Sequence, residues 1–351
     1  MIGIRELARH LDVSIGTVSR ALNDRADVNA LTRQRVRDAA VKLGYSPNQS
    51  GRSLRRGQTD LIGVIIPSRS DDTLINMVFL SVLDGLKRRL SENGLDLAIF
   101  LEDGAEDRLT PLRRVTQRSL VDAFIIADTL SADPRIDYLT KLDKPFVAFG
   151  RTGAAARHAW IDPDFEAAVE GAVEHLSALG HRRIALALPD LPTNYIGVIE
   201  ASYRQAMRRR GLRVRKGCDL RRPAGEQGGF AVAEALLAAD PPPTAALVSD
   251  SMHAAALYRR LGEAGLAVGR DLSIVGILPE ARAQYLIPAL TSYQTDWTEI
   301  GARLGEAVIA ELAEAAPRRK RSERPAREGE RRPTQFKMPV EFRTGESVGR
   351  I

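Results

Sequence analysis

Arg20 is the residue whose type and setting point most directly to chemistry. It closes the run Ser14, Ile15, Gly16, Thr17, Val18, Ser19, and a guanidinium there carries forked donors matched to O6 and N7 of guanine. A second set lies at 46–59 (SPNQSGRSLRRGQT), where Arg52, Arg55 and Arg56 surround a lone apolar side chain, Leu54. Cations around one apolar wedge suit phosphate clamps beside a side chain inserted into a minor groove. Covalent chemistry has no comparable set. His10, His158, His175, His181 and His253 are scattered, and Cys218 is the single cysteine, which leaves no intramolecular disulfide and no thiolate metal cluster. Without a Gly-rich phosphate loop, a metal-ligand spacing or a nucleophile elbow, the chain reads as a binder rather than an enzyme, with no cofactor expected.

The charge is concentrated around those arginines. Residues 1–58 hold eleven Lys and Arg against five Asp and Glu, a surplus of six that equals the net charge of the whole chain, and the other 293 residues hold 40 of each sign. A basic front on a balanced body points to a polyanionic partner. No apolar run approaches the roughly 20 residues of a membrane span. The first thirty residues lack the apolar core of a signal peptide, so a cytoplasmic chain with no membrane partner is expected.

Presenting Arg20 requires a scaffold of short helices. Helices at 4–11 and 15–22, joined at Asp12-Val13 and with Ser14 as cap, form a helix-turn-helix whose second helix can enter the major groove. Ile4, Leu7, Ala8 and Leu11, then Val18, Ala21 and Leu22, supply the buried faces. Ile15, Gly16, Thr17, Ser19 and Arg20 are left pointing outward. A third helix is expected from Asn29 as its cap to about Leu43, with Gly44 as its stop. Ser46-Pro47-Asn48-Gln49 announces a further helix of about eight residues. That is too short to stand alone in water, so it is expected to fold on a partner.

From Leu61 onward, short apolar runs alternate with amphipathic ones. Strands are expected at 61–66, 95–100, 123–127, 146–149, 183–188, 245–249 and 273–277. Helices are expected near 74–92, 106–118, 134–142, 165–179, 196–210, 226–239, 251–264 and 297–314. The alternation implies two doubly wound parallel sheets, with ligands beyond the carboxyl ends of their strands. Segment 316–333 (APRRKRSERPAREGERRP) holds eight basic residues against three acidic ones and reads as a disordered surface insertion. A final strand is expected at 336–342.

Several stretches resemble the LacI/GalR family of bacterial transcription factors: IRELARHLDVSIGTVSRALND at 4–24, VNALTRQRVRDAAVKLGYSPNQSGRSLRRGQTDLIGVIIP at 28–67, LGHRRIAL at 179–186, AGLAVGRDLSIVGI at 264–277 and PALTSYQTDWTEIGARLGEAVI at 288–309. The segments FIIADTLSADPRIDYL and KPFVAFGRT resemble a subgroup associated with carbohydrate genes. The resemblance implies an all-α helix-turn-helix headpiece plus an α/β periplasmic-binding-protein-like core of two Rossmann-like subdomains with three crossovers. The expected limits are 1–45 for the headpiece and 46–59 for the hinge. They are 60–158 with 291–315 for the N-terminal subdomain, and 159–290 with 334–351 for the C-terminal one.

The implied partners are operator DNA, a second copy of the chain in a homodimer, and a small-molecule effector, a sugar being the expected class. By position, Ile15, Gly16 and Arg20 read bases, with Ser14, Thr17 and Ser19 on the same groove-facing surface. Asn23, Asn29, Thr32, Arg33, Tyr45 and Asn48 contact the DNA backbone. Ser50, Gly51, Ser53, Leu54 and Arg55 form the minor-groove hinge. Closure of the effector cleft would order or melt that hinge.

The cleft candidates are Ser68, Asp128, Arg151, Asn194, Ile199, Asp250, Leu278, Glu280 and Gln294. Ile199 stands where sugar-responsive members carry an Arg, and Leu278 where they carry an Asp, so two charged sugar ligands are missing. Buried hydroxyls need partners. Either Arg151, Asp128, Asn194 and Glu280 replace the lost groups, or the effector is less polar, or effector control has been lost. An effector-independent or corepressor-driven regulator, and a cytoplasmic solute-binding protein, are the alternative readings.

Overall fold

The computed structural model describes residues 2–22, 25, 27–45, 58–67, 77–102, 107–153, 157–278, 283, 285–319 and 333–351. The chain separates into two compact units, residues 1–59 and 60–351.

In the first unit, the described residues form α1 (Ile4–Leu11), α2 (Ile15–Leu22) and α3 (Ala30–Lys42). Helices of eight residues are marginal alone. These are held by a shared core of Leu7, Ala8, Val18, Ala21, Val28, Val36, Ala39 and Ala40. The turn after α1 works because Asp12 adopts the left-handed conformation (φ 53°, ψ 47°), sending its N–H back to the Ala8 and Arg9 carbonyls. Asp tolerates that region better than most residues. Gly44, at φ 62°, stops α3 as expected.

The second unit holds two six-stranded sheets. The first takes β1 (Leu61–Pro67), β2 (Asp96–Glu102), β3 (Ala123–Ile126), β4 (Phe146–Phe149), β5 (Trp160–Pro163) and β11 (Gln335–Met338), ordered β11-β5-β4-β3-β1-β2 and parallel throughout. The second takes β6 (Ile184–Pro189), β7 (Asp219–Arg222), β8 (Ala245–Val248), β9 (Ser273–Ile277), β10 (Thr291–Gln294) and β12 (Glu341–Arg343), ordered β12-β10-β9-β8-β6-β7, with β12 alone antiparallel.

Helices α4 (Met77–Ser91), α5 (Leu109–Gln117), α6 (Pro134–Lys141) and α11 (Trp297–Arg319) accompany the first sheet, and α7 (Phe165–Ala178), α8 (Asn194–Arg209), α9 (Glu226–Leu237) and α10 (Ser251–Glu263) the second. Each sheet has a hydrophobic cluster on either face, which is why its central strands are apolar without alternation. Helices α4 and α11 cross so closely that a Cβ on Gly85 would collide with the Thr298 carbonyl, and one on Gly301 with that of Val82.

The strands fix where the chain passes between lobes. It leaves the first sheet after β5, returns after β10, and leaves again between β11 and β12. This corrects the expected limits. Residues 160–163 and 335–338 pair with each other in the first sheet, and 291–294 pair in the second. The expected single strand at 336–342 is two strands, one per sheet, divided at Pro339-Val340. Strands β5, β7 and β10 (WIDP, DLRR, TSYQ) were not expected from the sequence. Their residues are too polar and too few to announce a strand, and pairing with neighbours remote in sequence defines them. Helix α11 runs to Arg319, so the backbone of 316–319 is helical rather than part of a disordered insertion. An Ala- and Glu-rich run carries the helix to that point, and 320–332 lie outside the described residues.

Candidate functional site

The N-terminal site is the exposed face of α2. The Ser14 Oγ accepts the Thr17 N–H at 3.0 Å and lies 2.9 Å from the Thr17 hydroxyl, so the two side chains are joined in the cap. Beyond the cap, Ile15 is 44% exposed, an apolar side chain left in solvent at the start of the helix. Gly16 and Arg20 are exposed on the same helix and Ser19 is half-buried, while Val18 and Ala21 face the core. Elsewhere in this unit Arg5, Arg9, Arg25, Arg35, Arg37 and Lys42 are exposed.

The expected backbone-contact residues also have work inside the unit. Asn29 caps α3 by accepting the Thr32 N–H at 2.7 Å. Arg33 donates through one guanidinium nitrogen to the carbonyls of Arg25 and Val28, both at 3.0 Å. Tyr45 packs half-buried against the core. Asn23, Asn48, Ser50, Gly51, Ser53, Leu54 and Arg55 lie outside the described residues.

In the second unit the two lobes touch beyond the ends of β3 and β6. The Asn194 N–H donates to the Thr129 carbonyl at 2.8 Å, and Leu130 bridges to Thr193. The loop carrying Thr129 is fixed from below by Arg135, which is fully buried. Its guanidinium donates to Glu102 at 2.7 Å, to Asp133 at 2.7 and 3.0 Å, and to the carbonyls of Ala127 at 2.9 Å and Asp128 at 3.3 Å. Burial holds the Glu102 carboxyl above its usual range despite Arg135. For Asp133, burial is outweighed by hydrogen bonds from Arg135, and the carboxyl is held low.

A cavity of about 290 Å³ lies between the lobes, lined by Arg151, Thr152, Gly153, Trp160 and Gln335 from one side and Asn194 and Val198 from the other. Of the expected cleft residues, it brings Arg151 and Asn194 together. Arg151 is engaged on three sides. Its Nε donates to Asp162 at 2.7 Å, its fork donates to both oxygens of Glu166 at 2.7 Å, and its guanidinium lies 5.7 Å from the centre of the Trp160 ring. Glu166 opens α7 of the second lobe, so this ion pair crosses between lobes; Lys337 adds a third bond to it at 2.8 Å. Burial raises the Asp162 carboxyl to about 6 against the pull of Arg151. Burial would also raise Glu166, but hydrogen bonds from Arg151 and Lys337 hold it down to about 2.

The other expected cleft residues that the structure describes do not line this cavity. Ile199 is fully buried in the second lobe's core, because it shares the inward face of α8 with Ile196, Tyr203 and Ala206. Leu278, at φ 52°, is also buried in that core. Asp250 caps α10, accepting the N–H groups of Met252 and His253. Asp128 is left-handed at φ 51°, its carbonyl accepting from Arg108 at 2.8 Å. Gln294 is exposed and donates to Ser292 at 3.1 Å. Ser68 and Glu280 lie outside the described residues. Sequence reasoning passed over Trp160, Val198 and Gln335 as lining residues, and Asp162 and Glu166 as partners of Arg151. The acidic spacing of IDPDFE after an apolar run was the available signal.

Residues 3–48 match the family described as Bacterial regulatory proteins, lacI family, and residues 173–334 match Periplasmic binding protein-like domain. The HTH-type transcriptional regulator RafR of Escherichia coli is 35% identical over 72% of this chain and 74% of its own length. The HTH-type transcriptional regulator AglR of Rhizobium meliloti is 33% identical over 88% of this chain and 87% of its own. Among solved structures, the lac repressor dimer bound to operator and the anti-inducer ONPF aligns with a TM-score of 0.84 at 23% identity, covering 99% of each chain. The transcriptional regulator CelR–cellobiose complex aligns with a TM-score of 0.73 at 20% identity, covering 99% of this chain and 100% of the other.

Proposed function

Since this chain belongs to the LacI family of bacterial regulatory proteins, we propose that it is a repressor that binds a palindromic operator as a homodimer and is gated by a small carbohydrate in the cavity between its core lobes. The observation that carries the DNA-binding part is α2, which presents Ile15, Gly16 and Arg20 to solvent while its other face is buried. Arginine contacts to phosphate release counterions, so affinity should fall steeply with salt.

The cavity supports the effector part. Its volume of about 290 Å³ stands at the lower end of small-molecule pockets, which begin near 300 Å³. Trp160 and Val198 supply apolar surface, and Asn194 and Gln335 supply amide groups. The cellobiose complex of CelR supports the carbohydrate class. One observation favours a second reading, control without a sugar. Arg151 is neutralised by two carboxylates, and Ile199 and Leu278 are core residues. Thermal-shift screening of neutral sugars, sugar phosphates and polyols, repeated with DNA present, separates the two. A neutral sugar that raises Tm and changes DNA affinity supports the first reading. The absence of any carbohydrate effect on DNA affinity supports the second.

A further inference from the structure

Arg20 does not extend freely from α2. Its Nε lies 3.4 Å from a carboxylate oxygen of Asp27. Its two terminal nitrogens lie back over Gly16, 3.8 and 3.9 Å from the point a Cβ would occupy there. Positions four apart on a helix are neighbours on its surface, so the guanidinium lies along the helix over Gly16.

The fold holds Asp27 at this distance from both sides. The Arg25 N–H donates to the Arg20 carbonyl at 3.1 Å, and the Val28 N–H to the Arg25 carbonyl at 3.2 Å. The Val28 side chain is buried in the core. From α3, Arg33 bonds the carbonyls of both Arg25 and Val28. The chain is therefore tied at Arg25 and at Val28, on either side of Asp27.

We infer that Asp27 is a positioning residue for base recognition, holding the Nε edge of Arg20 so that the edge formed by its two terminal nitrogens faces the DNA. This rests on reading α2 as the base-reading helix. Both side chains are half-exposed or more, at 50% and 62%, and such pairs add little to folding stability. The consequence of the pair is orientation. A guanidinium can present either of two edges to guanine O6 and N7, and a carboxylate on Nε withdraws one of them. The same carboxylate repels phosphates, so it weakens binding to DNA of any sequence. Its two effects have opposite signs, which makes them separable.

The test uses the full chain and a duplex selected by it from a randomised pool, with single-base variants and a scrambled duplex as references. Wild type is expected to prefer its guanine at the Arg20 position by about 10-fold or more. Asp27→Asn is expected to lose most of that preference while binding scrambled DNA as tightly as wild type or more tightly. In an Arg20→Ala background, Asp27→Asn is expected to change no preference at that base pair. Full retention of preference in Asp27→Asn overturns the inference, as does an equal loss in the Arg20→Ala background. Equal binding of selected and scrambled duplexes by wild type overturns the reading of α2 itself, and is distinguished from the first two outcomes by appearing without any substitution.

Discussion

Arg20 and Arg151 each lie beside carboxylates, yet the two guanidinium groups are committed to different degrees. Arg20 is half-exposed and its ion pair with Asp27 is 3.4 Å long, so its donors can turn to a ligand. Arg151 is 14% exposed and makes three bonds of 2.7 Å to Asp162 and Glu166, so its donors are spent on holding the lobes. Arg20→Ala is therefore expected to leave stability within about 0.5 kcal/mol of wild type and to reduce discrimination at one base pair by about 1–3 kcal/mol, measured by denaturation and by competition binding. Glu166 is expected to show itself through pH. Its carboxyl is held at about 2, below its ordinary 4.5, so the stability it adds is fully present above pH 4.5 and is lost as pH falls from there toward 2. Urea denaturation across that range should show wild type and Glu166→Gln converging as pH drops. A gap that stays constant would show that the pair is not the source. Arg20 was legible in the sequence because it follows a local helix signal. The partners of Arg151 were not, because the register of β4 on β5 and the start of α7 bring them to it.

At the level of elements, legibility follows the range of the forces involved. Asp12 in its left-handed turn, Ser14 and Asn29 as caps, and Gly44 as stop are satisfied by neighbours within a few residues, and all four were readable. Ser14→Ala removes the bond that fixes the start of α2 and should cost about 1 kcal/mol of headpiece stability, read as a lower melting temperature of the α1–α3 unit by near-ultraviolet dichroism or NMR. An unchanged transition would mean the cap contributes nothing to α2. Strands β5, β7 and β10 are set by nonlocal pairing, so their polar sequences hid them. The same limit explains the cleft. Position in a motif suggested Ile199 and Leu278, but the inward face of α8 and the end of β9 turn both into the core.

For the whole molecule, charge and exposed apolar surface set the partners. The positive surplus lies in the first 58 residues, and the other 293 residues are balanced. Among the described residues no strand pairs with the outer edge of β2, which leaves Ile99 44% and Leu101 59% exposed, while Tyr285 and Ile287 stand 75% and 91% exposed on the second lobe. An apolar sheet edge invites pairing, which supports the proposed homodimer. Leu101→Glu is expected to shift the chain toward monomer in sedimentation at micromolar concentration and to weaken operator binding in parallel. A Leu101→Glu variant that remains fully dimeric would place the interface elsewhere. The central claim, that this chain reads DNA sequence through α2, is tested most directly by the affinity ratio between a duplex it selects and a scrambled duplex, measured by fluorescence anisotropy over a salt series. A ratio of about 1,000 or more, with both affinities falling as salt rises, is the expected result; a ratio near one at every salt concentration would contradict it.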